Sequence, residues 1–236
     1  AFNFLVPMAV GAHVYLLGKV PSPKILLKAF EEVKPNLILT VPLILEKIYK
    51  KMILPQLSKT TMKVALNIPL LDSRIYAQIR KKLVDAFGGR FREVIVGGAA
   101  LNEEVTNFLY KIKFPFTIGY GMTECGPLIS YDHNDEYVPG SCGQILKGIM
   151  KVRIDSEDPY NKVGEIQVSG ENVMKGYYKN EEATSKVFTE DGWLRTGDLG
   201  TIDADNRIYI RGRSKTMILG AVSYTHLRAH ETPEHL

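Results

Sequence analysis

Apolar positions along this chain fall into two regimes. Through about the first 140 residues they come as short continuous runs or at helical spacing, and beyond that they alternate with polar residues. Residues 2–17 are nearly all apolar and predict a buried strand or a helix–strand pair. Ser22-Pro23 reads as an N-cap followed by proline at the first helical position, with Ile25, Leu26, Ala29, Phe30 and Val33 at helical spacing. "NLILTVP" predicts a short buried strand, and "LILEKIYKKM" after Pro42 an amphipathic helix. Asp72 stands as the cap of another helix, whose Ile75, Ile79, Leu83 and Phe87 line one face before Gly88-Gly89 stop it.

"REVIVGGAAL" is then a strand running into two glycines. Asn102 caps a helix with Val105, Phe108, Leu109 and Ile112 facing inward, and "FPFTIGYG" is the next strand and glycine turn. This order is α/β logic, which puts the glycine turns Gly97-Gly98 and Gly119 to Gly121 on one edge of a sheet, where ligands bind. From about residue 140, "MKVRIDS", "VGEIQVSG" and "NRIYIRG" alternate with period two and predict antiparallel β. The expected organisation is an α/β subdomain over 1–140 and a small antiparallel barrel or sheet over 141–212. A connecting hinge follows over 213–220, and then a tail over 221–236.

Composition narrows the class. Of 236 residues, 45% are hydrophobic and 24% charged, as in ordinary globular proteins. The net charge of +4 comes from scattered lysines with no aromatic-interleaved basic stripe, which argues against a nucleic-acid partner. Cys125 and Cys142 form neither a disulfide framework nor a zinc pair, which suits a reducing, cytoplasmic setting. No run of about 18 apolar residues spans a bilayer, and association with a membrane surface is left open. The apolar opening has no basic start, no small-residue cleavage site and no initiator Met, and it reads as the interior of a longer protein.

Three motifs carry candidate chemistry. In "GYGMTE" (119–124), Gly119 and Gly121 bring bare backbone N–H groups near an anion, and Tyr120 between them offers a flat face to a base. Thr123 supplies a hydroxyl donor, and Glu124 a hard oxygen ligand for Mg²⁺ beside phosphates. The plain alternative is a tight turn with an exposed acid. In "WLRTGDLG" (193–200), Asp198 can accept from both hydroxyls of a vicinal diol, or be an ordinary turn aspartate. In "RIYIRGRSKTMIL" (207–219), Arg213 can fork onto phosphate or ribose oxygens, or simply end a solvated strand.

Together with "GGAAL" (97–101) and "GYYKNEEAT" (176–184), these motifs make the chain resemble the adenylate-forming superfamily: acyl-CoA synthetases, firefly-type luciferases and peptide-synthetase adenylation domains. Within it, "KPNLILTVPLILEKIYKK" (34–51) is most similar to long-chain fatty acyl-CoA synthetases. The resemblance implies an ATP-dependent fatty acid–CoA ligase using Mg²⁺ and coenzyme A, with fatty acid, ATP and CoA as its small-molecule partners. It implies that Gly97, Gly98 and Ala99 lie along the adenine and acyl carboxylate, and that Gly119, Tyr120, Gly121 and Met122 wall the pocket. Tyr120 would stack on adenine, and Thr123 and Glu124 would serve phosphate and Mg²⁺. Asp198 would take both ribose hydroxyls, with Ile210 near the base, Arg213 on the ribose–phosphate side, and Lys215 at the hinge.

The family's phosphate loop is expected before residue 1, and its C-terminal domain, with the lysine that orients the carboxylate, after residue 220. Without them the chain is expected to have little ligase activity, which leaves a catalytically dead binding module as the rival reading and an aryl-acid-activating relative as another. The tail departs from the family. Its His226 and His230 stand four apart, as metal ligands on a helix would, but it reads better as a disordered terminus or as adapter-derived sequence with no selected role.

Overall fold

A computed structural model describes residues 4–18, 20–66, 68, 71–214, 217–220 and 223–226. The apolar opening is not buried. Helix α1 (Leu5–Ala9) has no buried side chain, and Leu5, Met8, Val10 and Leu16 are all exposed. Apolar composition reports a tendency to be covered and does not supply the cover. Helix α2 (Pro23–Val33) begins as its residues predict, with Ser22 Oγ accepting from the Ile25 N–H at 3.4 Å and Pro23 in the first turn.

Strand β1 (Leu37–Thr40) leads into α3 (Pro42–Ile48), which runs through a π-helical turn (Tyr49–Ile53) into α4 (Leu54–Leu57). Pro55 has no N–H to give back to the preceding turn, and a helix commonly accommodates such a loss by widening there. Helices α5 (Thr60–Ala65) and α6 (Leu71–Ala86) follow. Asp72 lies inside the first turn of α6 rather than at its cap, and its carboxylate accepts from the Ser73 N–H at 2.6 Å. Of the predicted face of α6, Ile79 and Leu83 are buried and Ile75 is half-buried, while buried Phe87 follows the helix end.

Strand β2 (Glu93–Val96), α7 (Glu103–Lys111) and β3 (Phe116–Ile118) complete a parallel sheet of order β1-β2-β3. In it Val94 pairs with Ile38 on one side and Phe116 on the other. Central β2 buries Val94 and Val96 fully, whereas edge strand β1 buries only Ile38, so the expectation of a buried first strand holds for one of its residues. Asn102 caps α7 through Oδ1, which accepts from the Val105 N–H. The rings of Phe87, Phe91 and Phe114 pack at 5.5–5.9 Å in the core beside the sheet. Beyond β3 the chain forms a short antiparallel pair, β4 (Tyr120–Gly121) with β5 (Leu128–Ser130).

The chain divides into two compact units, residues 1–143 and 144–236. In the second, β6 (Met150–Asp155), β7 (Gly164–Gly170), β8 (Leu194–Ile202) and β9 (Ile208–Arg213) form an antiparallel sheet in sequence order, with α8 (Glu181–Val187) between β7 and β8. Met150, Ile154, Ile166, Val168, Leu194, Ile202 and Ile208 are buried apolar residues of this sheet; Ile166 and Val168 stand two apart as the period-two pattern requires, while Gln167 between them is buried as well. The sheet is open, and of the predicted alternatives it is the sheet and not the barrel. Strands β10 (Met217–Gly220) and β11 (Ser223–His226) pair antiparallel, so four residues of the predicted disordered tail have regular backbone. His226 lies on a strand and not a helix, and His230 and His235 lie outside the described residues.

Candidate functional site

All three parallel strands end on one edge, and the glycines lie there. The ladder continues one residue past each strand: the Gly97 N–H donates to Thr40 O at 3.1 Å and the Gly119 N–H to Val96 O at 2.9 Å. The two glycine turns therefore open side by side, as the strand order predicts. They are glycines for different reasons. Gly98 has φ +87°, in the left-handed region. A Cβ on Gly121 would lie 2.0 Å from Pro127 O, because β5 crosses it there. A Cβ on Gly97 would stand at an ordinary 3.6 Å from Gly119 O, and one on Gly119 no closer than 3.5 Å to anything. The fold has room for a methyl at Gly97 and Gly119, and leaves bare backbone there instead.

After Gly121, Met122 is extended and opens a 3-10 turn, Thr123–Cys125, closed by Gly126 in the left-handed region. The turn displays Thr123 to solvent and holds Glu124 half-buried. Ala99 is exposed and Met122 half-buried. Tyr120 is 7% exposed, so its ring is sunk into the fold and is not the open face its place between two glycines suggests. Cys125 is fully buried, and burial, with the charge of Glu124 beside it, pushes its thiol up to about 12. A thiol so held is not a nucleophile near neutrality.

Sequence reasoning missed the support beneath this turn. Glu93, buried at the start of β2, accepts from the Tyr131 hydroxyl and from Asn134 N and Nδ2 at 3.2 and 3.3 Å. His133 Nδ1 lies 3.7 Å from Glu93 Oε1. Thr117 Oγ1 donates to Asp132 O at 2.7 Å. These bonds anchor the segment leaving β5, and β5 sets the position of Gly121. The available signal was an acid opening the apolar run "EVIV".

In the second unit, Asp198 and Arg213 are cross-strand partners joined at 2.8 Å from Nε to Oδ1. The carboxylate is buried and the guanidinium side chain 73% exposed. Their pairing depends on a bulge. From Ile202↔Ile208 to Gly200↔Ile210 the register is regular, and then it shifts by one, so that Asp198 faces Arg213 and not Gly212. Gly200 sits at that shift, where a Cβ would lie 2.5 Å from Tyr209 O. The Thr196 hydroxyl accepts from the Asp198 N–H at 3.1 Å, and half-buried Ile210 is on β9. Lys215 lies outside the described residues.

Among the described residues no group of three or more His, Cys, Asp or Glu is placed to hold a metal. Mg²⁺ does not need one, since it keeps waters and phosphate oxygens and takes one or two carboxylates. Glu124, a hard oxygen donor beside an exposed hydroxyl, fits that demand.

The sequence profile of the AMP-binding enzymes matches residues 1–178. The chain belongs to the AMP-binding enzyme family. Among its relatives are long-chain-fatty-acid–CoA ligase 1 of Saccharomyces cerevisiae, 29% identical over 80% of this chain and 29% of that protein, and 4-coumarate–CoA ligase 1 of Glycine max, 38% identical over 52% of this chain and 45% of that one. Among solved structures, ATP-bound MatB from Rhodopseudomonas palustris is 25% identical with a TM-score of 0.69, and covers 94% of this chain and 39% of its own. MenE from Bacillus subtilis with ATP and magnesium, 22% identical with a TM-score of 0.68 over 93% of this chain and 40% of its own, shares the fold. The chain thus spans less than half the length of these relatives.

Proposed function

We propose that this chain carries the nucleotide- and acyl-binding residues of a fatty acid–CoA ligase. In that reaction a fatty carboxylate attacks the α-phosphorus of ATP, pyrophosphate leaves, and an acyl-adenylate remains. The thiol of coenzyme A then attacks the acyl carbon and AMP departs. The observation that carries this reading is the pair of unforced glycines, Gly97 and Gly119, side by side on the carboxyl edge of a parallel sheet. Bare backbone that the fold does not need is suited to the close approach of a planar ligand.

The remaining roles follow from chemistry. Gly97, Gly98 and Ala99 border the adenine and the acyl carboxylate, with Gly119, Tyr120, Gly121 and Met122 as the neighbouring wall. Tyr120 meets the base with what its burial leaves accessible. Thr123 donates to a phosphate oxygen where charge grows in the first step. Mg²⁺, when bound, would offset that charge from the Glu124 carboxylate. Asp198 accepts from ribose hydroxyls while Arg213, paired with it at 2.8 Å, reaches the phosphate side, and Ile210 supports the base.

Fatty acid as the substrate draws support from the likeness to the yeast ligase, which extends over 80% of the chain. A second reading, an aryl-acid substrate, draws on the higher identity to 4-coumarate ligases over shorter stretches. Calorimetric titration of the chain with hexadecanoyl- and 4-coumaroyl-sulfamoyl adenosine, stable mimics of the two adenylates, separates them. Tighter binding of the hexadecanoyl compound is expected. The reverse order selects the aryl reading, and no binding of either at millimolar concentration overturns both.

A further inference from the structure

The second unit opens a cleft of about 320 Å³ at the turn end of the β8–β9 hairpin. Thr201, its nearest lining residue on β8, stands three residues from Asp198, about 10 Å at some 3.3 Å per residue, and none of the lining residues has a role in the nucleotide reading. Its floor is buried Thr201 and Ile202. Tyr160, from the loop after β6, and Tyr209 of β9 are its aromatic walls, and Asp203 and Arg211 its charged groups. The geometry is built by three segments. Thr201 and Tyr209 are ladder partners and share a face. Arg211, two residues along β9, returns to that face with its guanidinium carbon 5.7 Å from the centre of the Tyr209 ring. The Ile202 N–H donates to Pro159 O at 3.1 Å and draws the Tyr160 loop against the hairpin.

The two charged groups differ in what they can still do. Asp203 is committed: it accepts from Tyr209 Oη at 3.0 Å and from the Asp205 and Arg207 N–H groups at 2.9 Å each. Arg207 Nη1 also stands 3.9 Å from it, and as an acceptor only, Asp203 offers an anion no donor at that end of the cleft. Arg211 is exposed and pairs with no carboxylate among the described residues, so its fork of donors faces solvent beside an aromatic wall. A ligand suited to both ends has a flat apolar body and one anionic group. The volume is at the small end of ligand pockets, which run from about 300 to 1,000 Å³, and fits one ring or two fused rings.

We propose that this cleft binds a planar aromatic carboxylate, with its ring against Tyr160 and Tyr209 and its carboxylate on the Arg211 guanidinium. The site stands apart from the adenylate reading and does not depend on it. The test is a titration of the ¹⁵N-labelled chain, followed by the amide resonances of Tyr160, 201–204, Tyr209 and Arg211. The ligands are 2-naphthoate, its neutral isostere 2-naphthamide, and octanoate, which is anionic but not planar.

Saturable shifts with 2-naphthoate are expected, with both other ligands about tenfold weaker or more, as loss of a charge-assisted pair or of ring contact requires. Arg211→Gln should weaken 2-naphthoate to the level of the amide and leave the amide unchanged. Tyr160→Ala, in an exposed loop, should weaken both. Equal binding of acid and amide, or an unchanged Arg211→Gln, overturns the proposal. So do shifts confined to residues 97–99 of the first unit. Titrating the same sample with AMP reads the adenylate site separately.

Discussion

The two units present their candidate residues in opposite ways. On the parallel sheet's edge, Thr123 and Glu124 are displayed by a turn and Gly97 by a strand end, and side-chain pairing is secondary to exposed backbone. In the second unit, Asp198 is already matched with Arg213 by a ladder, at 2.8 Å and with the acid buried. A turn can aim a side chain such as exposed Thr123 away from its neighbours, whereas adjacent strands bring the side chains of ladder partners together. The candidate residues of the first unit are therefore sensitive to backbone shape, and those of the second to charge.

The comparison breaks most visibly at Gly121. A methyl there would sit 2.0 Å from the Pro127 carbonyl, backbone against backbone, with no flexible side chain to yield. Gly121→Ala is expected to destabilise the first unit by about 3 kcal/mol or more, the upper range for overpacking. Denaturant unfolding of the variant against the parent chain measures this, and a loss under about 1 kcal/mol would mean that β4 and β5 can part without cost.

Charge in the second unit gives a smaller, asymmetric effect. Arg213→Gln leaves a buried carboxylate without its cation, while Asp198→Asn leaves an exposed guanidinium to water. Discounting for that exposure, Arg213→Gln should cost about 1–2 kcal/mol and Asp198→Asn less than about 1 kcal/mol. Thermal melts of both variants at one salt concentration test the order. Equal losses would show that the two groups contribute as a symmetric surface pair.

Much of the fold was legible in the sequence because its signals are local. The Ser22 and Asn102 caps, the stripe through Ile79, Leu83 and Phe87, and the period-two strands each need only a few neighbouring residues, and each appears as written. What was not legible depends on distant backbone. Gly97 and Gly121 look alike in sequence, and only the crossing of β5 makes one structurally necessary. The Asp198–Arg213 pairing needs the one-residue shift at Gly200, which no count of alternating residues reveals. The opening apolar run was misjudged for a related reason: burial is a property of two surfaces, and a sequence shows one of them. Glu93 escaped notice because its partners lie some forty residues away, in a segment with no motif of its own.

The smallest structural change is also the sharpest probe of the comparison. Gly97→Ala places a methyl 3.6 Å from Gly119 O, an ordinary contact, with no positive φ to strain. Its effect on stability should therefore fall within about 0.5 kcal/mol, since a Gly-to-Ala change at a compatible position also restricts the unfolded chain. If bare backbone at that edge exists for a ligand, the same methyl occupies the ligand's place, and adenylate-mimic binding should weaken by about tenfold, or 1.4 kcal/mol. Calorimetry on a variant that unfolds like the parent isolates that loss. Undiminished affinity would show that no ligand approaches Gly97, and would move the adenylate reading away from this edge. Stability loss at Gly121 with none at Gly97, and binding loss at Gly97, would separate the glycine the fold requires from the one it leaves open.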